Sequence, residues 1–489
     1  MMVAFFLFAV VVGLASCSSM VARRTDDILD PGFMLQWHLK NWETPGNDLN
    51  VTGVWSRGIN GTGVQVAIVD AGIDYRHPDL QKSYSKLGSK NFIKPRRGGF
   101  PMSSKDEHGT QCAGLVAASR NGRCGVGVAY GAKVSSLLVV GKGYSEELEA
   151  VALNYMYDTN HIYSMSYGVE DHPTVMGWLD ESLILAFKNG ARNGRSGRGS
   201  IFVVAAGNGR AENDNCAFDE SCNSIYTIAV GAIDRHDTAA EYSEACTSVL
   251  VSAYSGSTAF DGLSTVSRFG SLCDGNLSGT SASTPLVAGV IALVLQVRPD
   301  LTWRDIQHLI VKSAVPISLD DESWQMTYSG RMYSPQFGYG KINAGIIVEN
   351  AERHIKVGDH TILESPYMHV NMLIPEDEEG LLIAYKVSDE HVNQLGLFKI
   401  EHVQVIVSIK HMLRGDIEIE MISPNNITSK LVTPREDDNS VDGFLETPLM
   451  SVAHWGEPPV GRWTLRIRDI QERDIGKFLY WKLILYGTN

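Results

Sequence analysis

Beyond its first few residues the 489-residue chain has no run of about 18 consecutive apolar residues, so no later segment reads as a membrane-spanning helix. Positive charge is scarce as well: 42 Lys and Arg face 56 Asp and Glu, for a formal net charge of -14. That balance argues against nucleic acid as a partner and mildly favours basic peptides or metal cations. No internal repeat and no low-complexity tract is present. The G-x-S-x-G signature is missing around Ser281, which argues against an esterase on an α/β-hydrolase fold. What remains is an ordinary globular composition, 44% hydrophobic and 20% charged, long enough for two or three domains.

Cysteines number seven, and the first, Cys17, follows an apolar stretch over residues 2–14 that ends in Ala15 and Ser16. Residues 1–18 read as a secretory signal peptide without a positive n-region. LASC also matches a bacterial lipoprotein cleavage site, the minor reading beside the eukaryotic traits that follow. With Cys17 removed, Cys112, Cys124, Cys216, Cys222, Cys246 and Cys273 remain, an even set that permits disulfides in many connectivities. Sequons at Asn50, Asn60, Asn276 and Asn426 agree with a eukaryotic secretory route. The expected location is the secretory lumen or the cell exterior, with no transmembrane anchor.

Between residues 50 and 350, apolar runs such as VQVAIVDAG, AKVSSLLVV, HIYSMSYG, SIFVVAAG and YTIAVGAI alternate with helical stretches at 146–158, 178–190 and 281–297. Alternating strand and helix signals predict an α/β domain with a mostly parallel sheet and helices on both faces. After about Asn350, HVQVIVSIKH, GDIEIEMISP, GRWTLRIRD and FLYWKLILYG show period-two alternation broken by Gly, Pro and Asn, which predicts an all-β sandwich. The polar segment 352–362 reads as a linker. The expected domains are 25–350 and 351–489.

Four motifs, VDAGID, EHGTQCAG, AAGNG and GTSASTPLVAGV, supply Asp70, His108, Asn208 and Ser281 in that order. A Ser nucleophile needs a base, and the base needs a carboxylate to fix its tautomer and stabilise its positive charge. An amide such as that of Asn208 can donate to the developing oxyanion beside a backbone N–H near Ser281. Asp70 would close a buried strand, while His108 and Ser281 would open helices. The set reads as a serine endopeptidase, and its Asp, His, Ser order differs from the orders of chymotrypsin and the α/β-hydrolases.

These settings resemble the subtilisin fold, and the match goes further. QWHL, CGVGVAYGAKV, NHIYSMSYG, GSIFVVAAGNG, NSIYTIAVGAID, YSEAC, NLSGTSASTPLVAG, LTWRDIQHLIV and FGYGKINAG resemble the kexin and furin proprotein convertases. LRGDIEIEMISP, DGF, HWGEPPVGRWTLRIRD and the terminal LYG resemble their P domain. The resemblance implies a calcium-dependent, monomeric endopeptidase that cleaves secretory precursors after basic residues. It assigns Asp171 and Asp219 to the P1 pocket as a buried carboxylate pair, a bidentate partner for Arg. Ser166, Tyr167 and Gly168 match the strand that pairs with substrate, with Tyr in place of the family's usual Trp. Asp171, Asp214 and Glu244 match a calcium site beneath that pocket, and Asp30, Asp79 and Asn121 match side-chain ligands of another; hard oxygen ligands suit Ca2+. Cys124 with Cys273 and Cys216 with Cys246 match the family's disulfides. Cys112 matches a cysteine left free near the catalytic His, a buried thiol rather than half of a metal pair with His108. Cys222 stands where the family usually has no cysteine, and would either disturb the 216–246 pairing or remain an unpaired thiol.

Departures from the family pattern refine the expectation. Ala71, Lys105 and Gly141 stand where acids would read a basic P2 residue. Gly177 replaces an acid of the P4 pocket, while Glu149 holds a matching position there. Cleavage after a single Arg with relaxed P2 and P4 preference is expected. Only residues 19–24, ending in Arg23 and Arg24, separate the signal from the mature segment, a propeptide remnant cleaved after Arg24. The family carries a folded propeptide of about 80 residues there, which lowers the folding barrier of a slow parallel-sheet protease. The alternative expectation is therefore a catalytically silent secreted protein that uses the same cleft, or the P domain, to bind peptides.

Overall fold

Seven strands pair as one parallel sheet in the computed structural model, which describes residues 28–489 except 104, 178–180, 259–260, 270–272, 274, 376 and 472–475. The signal peptide, the 19–24 remnant and the cleavage after Arg24 lie outside the described residues. The strands are β1 (Gln65–Asp70), β2 (Lys90–Asn91), β3 (Lys133–Leu138), β4 (Ile162–Met165), β5 (Ile201–Ala205), β6 (Thr227–Ile233) and β7 (Val249–Tyr254), in the order β2-β3-β1-β4-β5-β6-β7. Every residue of β1, β4, β5, β6 and β7 is buried, as expected where helices cover both faces of a parallel sheet. The chain builds outward from β1 in both directions, so β1 marks the point where strand order reverses. In open α/β sheets the crevice at the carboxyl ends of strands beside such a point is where ligands bind.

The helices are α1 (Thr52–Ser56), α2 (His108–Ala117), α3 (Glu146–Ala152), α4 (Glu181–Gly197), α5 (Thr280–Val297), α6 (Trp303–Ser313) and α7 (Ala344–Glu352), with short hairpins β8 (Leu263–Thr265) with β9 (Gly275–Leu277) and β10 (Gln325–Met326) with β11 (Met332–Tyr333). Helix α5 is long and apolar enough to cross a membrane, yet it is 83% buried as the central core helix. Helix α3 stops at Ala152 and continues as turns through Thr159, short of the helix expected to residue 158. Met156 takes a φ of 53°, and Asn154, Asp158 and Thr159 favour turns over helix.

Helix α7 crosses residue 350, and the sandwich starts at Thr361. One sheet is β12 (Thr361–Glu364), β20 (Lys477–Thr488), β15 (Lys399–Lys410) and β18 (Phe444–Ser451), with β13 (Met368–Leu373) also on β20. The other is β14 (Leu381–Val387), β19 (Gly461–Asp469), β16 (Ile417–Ile422) and β17 (Thr428–Val432). All of these pairs are antiparallel. Period-two alternation sends Trp463, Leu465 and Ile467 of β19 inward. Outward-facing Arg466 and Arg468 then pair with Glu420 and Glu418 directly across on β16.

Sandwich and parallel-sheet domain share buried contacts. Arg304 of α6 reaches Glu401 of β15 at 2.9 and 2.5 Å, and His308 meets the same carboxylate at 2.7 Å. Glu401 is fully buried, so losing Arg304, its bidentate partner, would cost about 3–5 kcal/mol. Val452, Ala453 and Trp455 join the apolar core of the parallel-sheet domain, and the Tyr339 hydroxyl donates to the Val452 carbonyl at 2.7 Å.

Candidate active site

Asp70 closes β1 at the sheet's crevice and His108 opens α2, with His108 Nδ1 2.7 Å from Asp70 Oδ2. Asp70 is 2% exposed, and its charge raises the His108 pKa well above the usual 6.5. A stabilised imidazolium is what a general base needs as it accepts a proton. Ser281 is the second residue of α5, so its backbone N–H is one of the unpaired donors at a helix start. Its hydroxyl donates to the Ser166 carbonyl at 3.1 Å. Asn208 Oδ1 accepts from Thr280 N at 2.8 Å and Thr280 Oγ1 at 3.0 Å, which fixes the amide with Nδ2 toward the cleft. One N–H of Nδ2 faces Asp171 Oδ2 at 3.3 Å; the other is available to an oxyanion beside Ser281 N–H.

A cavity of about 350 Å³ opens beside Ser281, lined by Ser166, Tyr167, Gly168, Asp171, Asn208, Asp214, Asp219 and Glu244 among others. Asp219 accepts from Ser221 N at 2.7 Å and more loosely from Cys222 N and Val169 N, while burial raises its pKa. A Cβ at position 168 would lie 2.6 Å from Asp219 Oδ2, so only glycine lets the strand edge rest against this carboxylate. The expected buried pair of Asp171 and Asp219 is not what forms. Asp171 is exposed and accepts from Asn208 N at 2.8 Å, while Asp219 is half-buried and lines the same cavity.

Deeper in the same cavity, Glu244 is 4% exposed and accepts from Gly209 N at 2.8 Å. Burial, then the neighbouring Asp214, Asp171 and Asp219, push its pKa up to about 9. Gly207, at φ 104°, wraps this acid so closely that a Cβ would lie 2.4 Å from Glu244 Oε1. Asp214 is raised by burial and meets Arg435 Nη1 at 2.9 Å. Asp171, Asp214 and Glu244 offer the hard oxygen ligands that Ca2+ takes, and a cation would relieve the charge they gather in one cavity.

Asp30, Asp79 and Asn121 also come together, at the far end of α2. Asp30 and Asp79 are 2% and 0% exposed, and the Oδ2 of each has no hydrogen-bond partner among the described residues. Asp30 Oδ1 accepts from Asn121 N and Gly122 N, both at 2.9 Å, and Asn121 Nδ2 donates to Asp79 Oδ1 at 3.1 Å. Two orphaned buried carboxylate oxygens suit a hard cation.

Glu149 lines a neighbouring pocket with Tyr144, Tyr167 and Gly177. It is 4% exposed, raised by burial, and accepts from the Tyr144 and Tyr167 hydroxyls at 2.7 Å each. Disulfides join Cys124 to Cys273 and Cys216 to Cys246, while Cys112 and Cys222 are buried free thiols. Cys112 Sγ lies 3.9 Å from His108 Nδ1. Tyr144 and Arg435 escaped the sequence reading. A tyrosine five residues before Glu149 was a readable signal, whereas Arg435 lies 221 residues from Asp214 and left none.

Fold and site together have the architecture of a subtilisin-type serine endopeptidase. Residues 61–353 match the Subtilase family and residues 400–485 match the Proprotein convertase P-domain; the chain belongs to the subtilase family. It is 42% identical over 469 residues to the "Dibasic-processing endoprotease" of Schizosaccharomyces pombe, covering 94% of this chain and 66% of that protein. Identity to the protein of the same name from Yarrowia lipolytica is 40% over 470 residues, covering 94% and 48%. The chain thus spans from about half to two thirds of the length of these curated relatives. The structure of the serine protease of Aeromonas sobria has a TM-score of 0.83 and covers 94% of this chain and 96% of that one, a likeness of fold at 22% identity.

Proposed function

We propose that the chain is a calcium-dependent serine endopeptidase of the secretory route that cleaves precursor proteins after Arg, with relaxed demands at P2 and P4. The observation that carries this reading is a carboxylate-walled cavity, lined by Asp219 and Ser281 together. Substrate would add as a strand along Ser166–Gly168 and send its P1 guanidinium toward Asp219. Ser281 then attacks the scissile carbonyl and passes its proton to His108, while Asp70 stabilises the imidazolium. Asn208 Nδ2 and Ser281 N–H receive the oxyanion, and His108 returns the proton to the leaving amine. Water next attacks the acyl-enzyme by the same steps and frees Ser281.

Calcium, where bound, would be held by Asp171, Asp214 and Glu244 and by Asp30, Asp79 and Asn121, and would supply the positive charge that these carboxylates lack. Relaxed P2 preference follows from Ala71 and Gly141, which carry no charge, and from exposed Lys105, which repels a basic side chain. Glu149 already accepts two tyrosine hydroxyls, so a basic P4 residue has less to gain from it. The names of the relatives agree with cleavage at basic sites, and the two disulfides with a secretory location. An assembled Asp70–His108 pair beside Ser281 favours the enzyme over a silent peptide-binding module.

The test is hydrolysis of fluorogenic peptides with P1 Arg and P2 Lys, Ala or Pro, with calcium or chelator and with Ser281→Ala as control. Calcium-dependent cleavage that varies less than about tenfold with P2 is expected. A hundredfold preference for P2 Lys would restore a dibasic rule, and no cleavage by folded chain with calcium would favour the peptide-binding module.

A further inference from the structure

Five carboxylates, Glu170, Asp171, Asp214, Asp219 and Glu244, line the cavity beside Ser281, and among the described lining residues there is no Lys or Arg. The fixed cation that touches this set comes from the other domain. Arg435, in the loop after β17, is fully buried, and its Nη1 lies 2.9 Å from Asp214 Oδ1 and 2.9 Å from the Val175 carbonyl oxygen. Its guanidinium sits 3.4 Å from the centroid of the Phe218 ring, a close cation–π contact. Arg414 donates to the Thr174 carbonyl at 3.2 Å and lies 5.9 Å from the same ring. Asp438 binds both arginines, Arg414 Nε at 2.7 Å and Arg435 Nη2 more closely, and so aligns them. Phe218 immediately precedes Asp219, and Asn215 Nδ2 donates to Thr433 Oγ1 at 3.1 Å. The sandwich therefore grips the 214–219 segment at Asp214, Asn215 and Phe218.

We propose that Arg435 is a positioning residue for P1 recognition, holding the 214–219 segment so that Asp219 meets a cationic P1 side chain in one geometry. Recognition of arginine is then a joint property of both domains. This rests on the reading of the cavity as the P1 pocket. A guanidinium needs its carboxylate partner placed to within a few tenths of an ångström and correctly oriented, so slack at Phe218 would be felt at Asp219. A buried ion pair that served only the fold would affect stability and leave ligand preference alone.

The experiment uses the full secreted chain with calcium and p-aminobenzamidine, a fluorescent amidinium that enters a carboxylate-walled pocket without needing catalysis. Arg435→Met is expected to weaken its binding and to raise KM for P1-Arg peptides by about tenfold. Phosphorylation of Ser281 by diisopropyl fluorophosphate, which reports the nucleophile and base, should stay within about twofold. Should Arg435→Met not be secreted, Arg435→Lys keeps the charge but loses the planar fork, and about a threefold weakening is expected. Unchanged p-aminobenzamidine affinity in a folded variant would overturn the proposal. So would an equal fall in amidinium binding and Ser281 phosphorylation, the mark of general destabilisation. A wild-type chain that binds p-aminobenzamidine yet cleaves no peptide would refute the proposed activity while the Arg435 comparison still reads; a wild-type chain that does not bind it overturns the pocket assignment and this inference together.

Discussion

The catalytic corner and the acidic cavity beside it are built on opposite plans. Asp70 ends a strand, while His108 and Ser281 open helices, so each reactive group is placed by the terminus of a regular element. Its single negative charge is matched by the imidazolium that forms during reaction. In the cavity, Glu170 and Asp171, Asp214 and Asp219, and Glu244 come from three segments distant in sequence and crowd five carboxylates together, with Arg435 of the sandwich as a fixed counter-charge. The first set is local and nearly neutral; the second is assembled over long range and carries excess charge. Such excess has to be relieved by ligand, by cation or by the neighbouring domain.

The sharpest break in this comparison should come from Asp70→Asn, with about a 10⁴-fold loss in kcat. Sign and direction of its pH effect follow from His108. Asp70 raises the imidazole above 6.5, and the base must be neutral, so wild-type kcat/KM should fall as pH drops through a value above 6.5. The acid limb should move downward in the variant, and an unmoved limb would mean that another group titrates.

Next in size, Asp219→Asn should lower kcat/KM for P1-Arg peptides by about a hundredfold, mostly through KM, as expected for one desolvated charge contact. Asp171→Asn at the exposed edge should act instead on kcat, through Asn208. Equal KM effects from both would restore the buried pair and remove the asymmetry. A smaller effect is expected from chelation, which should lower the thermal unfolding midpoint by about 5 °C. Glu244→Gln should shrink that difference, and a midpoint indifferent to chelator would exclude calcium from both carboxylate sets. The least effect should come from Lys105→Glu, raising the P2 Lys-over-Ala ratio about threefold and less at high salt, because the side chain is exposed.

Much of the molecule was readable along the chain. Strand β1 and helices α2 and α5 stand out because a buried parallel strand and a core helix need unbroken apolar runs, and their ends carry Asp70, His108 and Ser281. The sandwich strands declared themselves through alternation, as in β19. Less legible were features made by residues far apart. Nothing around Asp171 told that it would be exposed and bonded to Asn208, since that depends on where two loops meet. Glu149 reads as a pocket acid, but its second tyrosine partner, Tyr167, stands 18 residues away beyond another strand. Helix α3 read too long because apolar spacing continued while Met156 adopted positive φ.

Local sequence alone settles which groups can do chemistry and on which kind of element they stand, because strand ends and helix starts are set by short-range periodicity and turn residues. The carboxylates that could face a cation were named by the resemblance to the convertases, not by local spacing. Their charge balance was decided by long-range packing: Asp219 behind Gly168, Glu244 wrapped by Gly207, and Asp214 met by Arg435 from the sandwich. A carboxylate's character depends on what else is buried within a few ångströms, and no sequence interval encodes that distance.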